Sequence, residues 1–254
     1  MKETHIFYAP DIVNGSNELP NDEATHAVRV LRLKEGDGLM LTDGNGSFYE
    51  AQITLASPKH CQFFVTKQWD DPKLWHGTIK IAVAPTKNMD RMEWLTEKAT
   101  EIGFDNLTLL NCDFSERRVV KTERLEKIVV SAMKQSHKAE KPTIIPLTRF
   151  ADFIKQPHEG QKFIAHCYSA DELGDGNEAN ASIHLSARNF LGDLVSDEGE
   201  TLVLIGPEGD FSIHEVKQAI DAGFQPISLG KSRLRTETAA LVAVHLMHLK
   251  KQCR

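Results

Sequence analysis

The spacing of apolar positions changes character about 70 residues into this 254-residue chain. Before that point the apolar runs are short and strand-like. Leu39-Met40-Leu41-Thr42 runs into Asp43-Gly44-Asn45-Gly46, and Ser47-Phe48-Tyr49-Glu50-Ala51-Gln52-Ile53 runs out. Asp-Gly and Asn-Gly tolerate the positive φ of tight turns, so the pattern predicts a β-hairpin, with Phe63-Phe64-Val65 as a further strand. The polar stretch 69–76, which contains Pro72, reads as a boundary. The expected division is a β-rich domain over 1–72 and a second domain over 73–254.

Past the boundary, strand patterns alternate with helical ones. Continuous apolar runs predict strands at 79–84, 107–110, 144–145, 163–165, 202–205 and 226–229. Met92, Leu95, Ala99 and Ile102 keep helical spacing up to Gly103, a C-cap residue, and Leu125, Ile128, Val129, Ala132 and Met133 line one face of another helix. Ser212 with Glu215 three residues later is a capping box that opens a helix through 222, and a last helix covers 237–250. Such alternation implies an α/β domain with a mostly parallel sheet. The acidic, Gly-containing stretch 171–181 is expected to be a mobile loop.

Composition narrows the class. A hydrophobic fraction of 41% and a charged fraction of 26% are ordinary for a soluble globular protein. No run approaches the ~18 apolar residues of a membrane span, and the first 20 residues lack a basic-then-apolar signal pattern, so no membrane partner is expected and the cytoplasm is the expected compartment. The four cysteines are far apart and form no CxxC pair, which speaks against zinc and against a disulfide framework. His245 and His248 share a helical i,i+3 spacing, yet no third ligand accompanies them, so no metal is expected.

The net charge of −6 conceals an uneven distribution. From 115 to 141 eight basic residues face four acidic ones, whereas 171–200 holds eight acidic residues and a single arginine. A basic stripe on an acidic protein suits either a bounded nucleic-acid site or a solvated helix face. His26, Arg29 and Arg32, at every third position, similarly suit either a phosphate-contacting face or the polar side of a short helix.

Two C-terminal blocks carry the sharpest chemistry. Leu204-Ile205-Gly206-Pro207-Glu208-Gly209-Asp210-Phe211-Ser212 and Leu229-Gly230-Lys231-Ser232-Arg233-Leu234-Arg235-Thr236-Glu237-Thr238 each run from an apolar stretch through glycine into a helix start. In open α/β sheets, ligands collect at such strand ends, where helix N-termini present free N–H groups. The plainer reading makes them strand–helix turns that use glycine for backbone freedom. Neither GxGxxG nor GxxxxGK[ST] is present, so dinucleotide and Walker-type sites lose support. Arg233, Arg235 and Glu237 could hold an anion and accept a proton there, or pair on the surface for ~0–1 kcal/mol.

Together the two blocks resemble the signature segments of the ribosomal RNA small subunit methyltransferase E group of the SPOUT methyltransferases. Lys98, Glu101 and Gly103 resemble its Lys…Glu-Leu-Gly helix end. Ser115-Glu116-Arg117 and Ala132 with Gln135-Ser136 resemble its central motif. His26-Ala27-Val28-Arg29-Val30-Leu31-Arg32 resembles the entry to its PUA-like RNA-binding domain. The resemblance implies a SPOUT-type α/β fold with a parallel sheet and a C-terminal deep trefoil knot, preceded by a small β-rich PUA-like barrel, in a homodimer. It also implies S-adenosyl-L-methionine as methyl donor and N3 of a uridine in small-subunit (16S) ribosomal RNA, free or in the assembled subunit, as acceptor.

By the same resemblance, cofactor contacts fall on Leu204, Ile205, Gly206, Pro207, Glu208, Gly209, Leu229, Gly230, Ser232, Leu234, Arg235, Thr238 and Ala239. Arg235, Glu237 and Glu208 are the catalytic candidates: the arginine to stabilise negative charge on the uracil oxygens, a carboxylate to orient it or take the proton. His26, Arg29, Arg32, Arg117, Arg118, Lys121 and Lys138 are the expected RNA contacts. Two departures stand out. The family often has His-Glu after its fourth strand, where Ala165-His166-Cys167-Tyr168 stands here, which weakens the expectation of a cofactor contact from that loop. It commonly has arginine after Gln-Ser, where His137 and Lys138 keep the charge without the bidentate fork. The rival functions are a non-catalytic RNA-binding dimeric module, marked by absence of cofactor binding, and a nucleotide-phosphate enzyme, marked by binding of ATP instead.

Overall fold

A computed structural model describes residues 5–169, 172–173 and 188–253. The chain divides into two compact units, the first running to Lys73 and taking in Val129–Lys141, the second comprising Leu74–Ile128 and everything from Pro142 onward.

In the first unit, β1 (Ile6–Tyr8), α1 (Asn21–Thr25), β2 (Gly38–Thr42), β3 (Ser47–Ala56) and β4 (Cys61–Asp70) follow in order, and α1 runs straight into a π-helical turn over His26–Val30. The sheet order is β1-β2-β3-β4, with β1 parallel to β2 and the other pairs antiparallel. The expected hairpin is β2–β3, and the Asp43 carboxylate shapes its turn by accepting the N–H groups of Asn45 (2.7 Å) and Ser47 (3.2 Å). Phe7, Leu41, Ile53 and Phe63 pack with Ala24 and Ala27 of the helical segment.

Three expectations shift here. The ladder among the described residues is an open four-stranded sheet rather than a closed barrel, because the three-residue β1 pairs only with β2 and β4 only with β3 and a bridge at Glu18. Trp69 lies inside β4, opposite Phe48, with ring centroids 5.9 Å apart, so the strand continues past the start of the 69–76 boundary. Val129–Lys141 packs with the first unit: Lys134 Nζ lies 2.6 Å from the Glu23 carboxylate, and the Ala139 carbonyl accepts from the Gly46 N–H at 3.1 Å.

The second unit begins with β5 (Thr78–Val83), α2 (Met89–Ile102) and β6 (Asn106–Asn111), followed by α3 (Glu123–Gln135), which passes from one unit to the other. Then come β7 (Thr143–Arg149), α4 (Phe150–Phe153), β8 (Gln161–Ala165), β9 (Asn189–Phe190), α5 (Leu191–Leu194), β10 (Glu200–Ile205), α6 (Ile213–Asp221), β11 (Gln225–Ser228) and α7 (Thr236–Lys251). All neighbours in the seven-stranded sheet, order β7-β6-β5-β10-β8-β11-β9, are parallel. Five of the six residues of β10 are buried, which explains its unbroken apolar run: a parallel strand covered on both faces has no solvent side to alternate toward. Gly103 ends α2 with its N–H on the Ala99 carbonyl, and Ser212 and Glu215 form the capping box of α6.

Of the expected 171–181 loop only 172–173 are described; the remainder lies outside the described residues. Among the described residues no helix is long and apolar enough to cross a membrane, and no three His, Cys, Asp or Glu side chains gather as a metal would require. His245 is exposed whereas His248 is buried against Trp75, so the two do not share an environment.

Candidate active site

The two signature blocks are the turns that follow β10 and β11. After β10 the chain reverses tightly: a Cβ on Gly206 would stand 2.9 Å from the Phe211 nitrogen, a space only glycine leaves open. Asp210 adopts φ +69° and donates its N–H to the Pro207 carbonyl at 2.9 Å. Its carboxylate accepts the N–H groups of Phe211 (2.8 Å) and Cys167 (2.7 Å), so the turn is tied to the chain leaving β8. Tyr168 adds a hydroxyl donated to the Phe211 carbonyl at 2.7 Å.

Two further strand-end loops are fastened to the same turn. The Glu208 carboxylate accepts the Lys87 N–H at 2.9 Å, from the loop after β5. The α6 cap reaches the loop after β6: Glu215 accepts the Asp113 N–H at 2.9 Å, and the Ser212 hydroxyl donates to the Asp113 carboxylate at 2.6 Å. Burial pushes the Glu215 acid up from its ordinary range, while the N–H donors of Ser212 and Asp113 pull it back.

After β11 the backbone turns at Gly230, with φ +119°, whose N–H donates to the Ser228 hydroxyl at 3.1 Å. Arg235 precedes α7 in an extended conformation and supplies no side-chain cap.

The third wall comes from the end of β8. His166 is 5% exposed, and neither ring nitrogen has a hydrogen-bond partner among the described residues. Its carbonyl accepts from the Arg188 guanidinium. Burial first, then the Arg188 charge, lower its basicity against the opposing pull of Asp210, so the ring is neutral and carries one unspent donor and one unspent acceptor. Burial and the Asp210 charge push the neighbouring Cys167 thiol up.

These walls enclose a cavity of about 570 Å³, within the range of sites that hold a small organic ligand. Of the residues expected to hold a cofactor, Ile205, Gly206, Pro207, Glu208, Leu229, Gly230, Ser232, Leu234, Arg235 and Ala239 line it. Leu204, Gly209 and Thr238 do not: Leu204 points into the core and Gly209 sits against Phe114. Glu237 is also off the lining. It is 7% exposed, 3.7 Å from Arg91, and its Oε2 has no partner among the described residues.

Arg91, His166, Arg188 and Asp210 line the cavity without having been singled out as site residues from sequence. Arg91 carried no signal, being one charged residue on a helix. His166 was visible only as a departure from a family pattern. Arg188 and Asp210 gain their roles from neighbours distant in the chain. The expected RNA contacts divide between the units: His26, Arg29, Arg32 and Lys138 fall in the first, Arg117, Arg118 and Lys121 in the second. All but the half-buried Arg117 and Lys138 are exposed.

Comparison with known proteins gives these features a family. An RNA methyltransferase domain model matches residues 73–248, and an RNA methyltransferase PUA domain model matches residues 19–66. A ribosomal RNA small subunit methyltransferase E from Rickettsia conorii is 29% identical over 98% of this chain and 96% of its own. The crystal structure of a probable rRNA-methyltransferase from Porphyromonas gingivalis superposes with a TM-score of 0.85 at 45% identity, covering 97% of this chain and 98% of that one. That of a ribosomal RNA small subunit methyltransferase E from Neisseria gonorrhoeae, bound to S-adenosyl methionine, has a TM-score of 0.76 at 27% identity with the same coverage. With the family model spanning most of its length, the chain belongs to the RNA methyltransferases of the ribosomal RNA small subunit methyltransferase E family.

Proposed function

We propose that this protein uses S-adenosyl-L-methionine to methylate N3 of a uridine in small-subunit ribosomal RNA, acting as a cytoplasmic homodimer with a knotted C-terminal segment. The observation that carries the reading is the cavity at the ends of β8, β10 and β11, walled by two glycine turns and by a neutral, unpartnered His166. Its residues fit such a cofactor: main-chain groups and the imidazole offer both donors and acceptors to a nucleoside. The knot is supported by strand order, since β10 and β11 each enter the sheet beside β8, between strands laid down earlier in the chain.

Bound there, S-adenosylmethionine supplies an electrophilic methyl group on a sulfonium. The protein's task is then to position the uracil and manage its N3 proton, because the protonated nitrogen is a poor nucleophile. Arg235, on the lining, stabilises negative charge on the uracil oxygens. Glu237, buried behind the lining, lies 3.7 Å from Arg91 and orients that arginine, which does line the cavity. Glu208, on the lining, holds the turn through the Lys87 N–H on its Oε1 and is the carboxylate placed to take the proton.

Incubation with isotopically labelled S-adenosylmethionine and unmodified small ribosomal subunits, followed by nucleoside analysis, tests the reading. Label recovered as N3-methyluridine is the expected result. Label on another nucleoside overturns the position and retains methyl transfer; no label, with no cofactor binding by calorimetry, overturns the enzyme.

A further inference from the structure

Beside the cavity, but not part of its lining, an aromatic ring stands in solvent on a firmly held turn. Phe114 is 52% exposed, in the loop that follows β6. The residues around it are fixed from both sides. The Ser115 hydroxyl accepts the Cys112 N–H at 2.9 Å, and the Ser115 N–H donates to the Cys112 carbonyl at 3.0 Å. Asp113 is held by Glu215 and Ser212 of the α6 cap. Phe114 itself rests against the β10 turn: a Cβ on Gly209 would lie 3.4 Å from its Cβ and 3.9 Å from its ring carbons. Gly209 is flanked in the chain by Glu208 and Asp210, both of which line the cavity.

Two arginines follow this ring within four residues of chain. Arg117 spends its guanidinium on the carbonyls of Thr86 (3.3 Å) and Lys87 (2.5 Å), and Arg118 lies 3.5 Å from the Asp113 carbonyl. Neither arginine forms a salt bridge with a carboxylate among the described residues; their hydrogen bonds go to carbonyls. Of the nearby acids, Glu116 pairs with Lys87 at 2.9 Å, while Asp113, Glu208 and Glu215 accept hydrogen bonds from Ser212, the Lys87 N–H and the α6 cap. Among the described residues Phe114 is the most exposed phenylalanine or tryptophan. An aromatic plane on a rigid turn, edged by arginines, is the arrangement on which single-stranded bases stack.

We propose that Phe114 is a stacking platform for an RNA base adjacent to the one that enters the cavity, with Arg117 and Arg118 taking the phosphates on either side. This deepens the methyltransferase reading and rests on it for the identity of the RNA. The platform acts on RNA affinity and leaves the cofactor site untouched, because Phe114 does not line the cavity.

The test uses the full chain and two substitutions. Phe114→Ala is expected to raise KM for unmodified small subunits about tenfold, within the ~1–3 kcal/mol that alanine substitution at stacking residues costs. Affinity for S-adenosylmethionine by calorimetry should match wild type, which also reports an intact fold. Phe114→Trp should return KM to the wild-type range, and its added fluorescence should be quenched by a single-stranded oligouridylate. An unchanged KM in Phe114→Ala, or no quenching in Phe114→Trp, overturns the platform. A changed oligomeric state with unchanged KM overturns it in favour of a contact between copies of the chain. Wild-type protein that transfers no methyl overturns the methyltransferase reading instead, and the quenching titration still decides whether a base stacks on this ring.

Discussion

The cavity has two kinds of wall, and they are built on different principles. The turns after β10 and β11 owe their shape to the main chain, through the close approach at Gly206 and the positive φ of Gly230. The end of β8 presents a side chain, the neutral imidazole of His166, with Arg188 behind its carbonyl. A main-chain wall tolerates many side-chain changes but no added atom where the backbone closes on itself. A side-chain wall has the opposite sensitivity. The proposed function divides the same way, between turns that would hold the cofactor and the Arg235 side chain that would act on the acceptor.

The sharpest break in that division is expected at Arg235. Arg235→Ala should lower methyl-transfer turnover by about 10²–10³-fold, the usual cost of removing one donor to a developing oxyanion, with cofactor affinity retained. Near wild-type turnover in a single-turnover assay would remove the arginine from the mechanism. Next in size is the main-chain wall. Gly206→Ala places a methyl 2.9 Å from the Phe211 nitrogen and should cost about 1–3 kcal/mol in urea unfolding, together with most cofactor binding. Ser232→Ala, on the same wall with its backbone free to stay as it is, should change cofactor affinity by less than about twofold if the main chain does the holding.

The side-chain wall is expected to respond more mildly and with pH. His166→Ala should weaken cofactor binding by about three- to tenfold, one neutral hydrogen bond's worth. In the folded protein burial and Arg188 hold His166 below its ordinary value of 6.5, so the unfolded chain takes up the proton first as pH falls. Its contribution is therefore intact above about pH 6.5 and lost as pH drops toward the folded value, with Arg188 promoting and Asp210 opposing that loss. Thermal unfolding from pH 7.5 to 5 should show a steeper fall for wild type than for His166→Gln, and equal slopes would contradict the assignment. The smallest effect is expected from the RNA face. Replacing Arg118 and Lys121 by glutamine should reduce the slope of log affinity against log salt by about 0.7 for each phosphate no longer neutralised, as for single strands.

Much of this architecture was legible along the chain because its causes are local. The β2–β3 hairpin needed only Asp43 and its glycines, and the α6 cap only Ser212 and Glu215 three residues apart. The strands of the parallel sheet announced themselves as apolar runs because both of their faces are covered. What failed to show had non-local causes. Trp69 looked like part of a linker until Phe48 was set across from it in the neighbouring strand. Helix α3 is amphipathic in sequence, but that pattern carries no sign that its last turns and the segment to Lys141 pack with the first unit, through Lys134 on Glu23.

Residue order alone settles where the chain turns, where its helices start and stop, and which two glycine turns could face a ligand. Positive φ, capping and two-sided burial act within a few residues and leave a mark in residue type. That β8 lies between β10 and β11 is a product of the folded state, since the chain returns there only from residues 200–228. This placement puts His166 and Arg188 on the cavity and stitches the loops after β5, β6 and β8 to one turn. Whether a buried polar group keeps a hydrogen bond unspent depends on every neighbour it meets in space, and no stretch of chain around His166 records who those neighbours are.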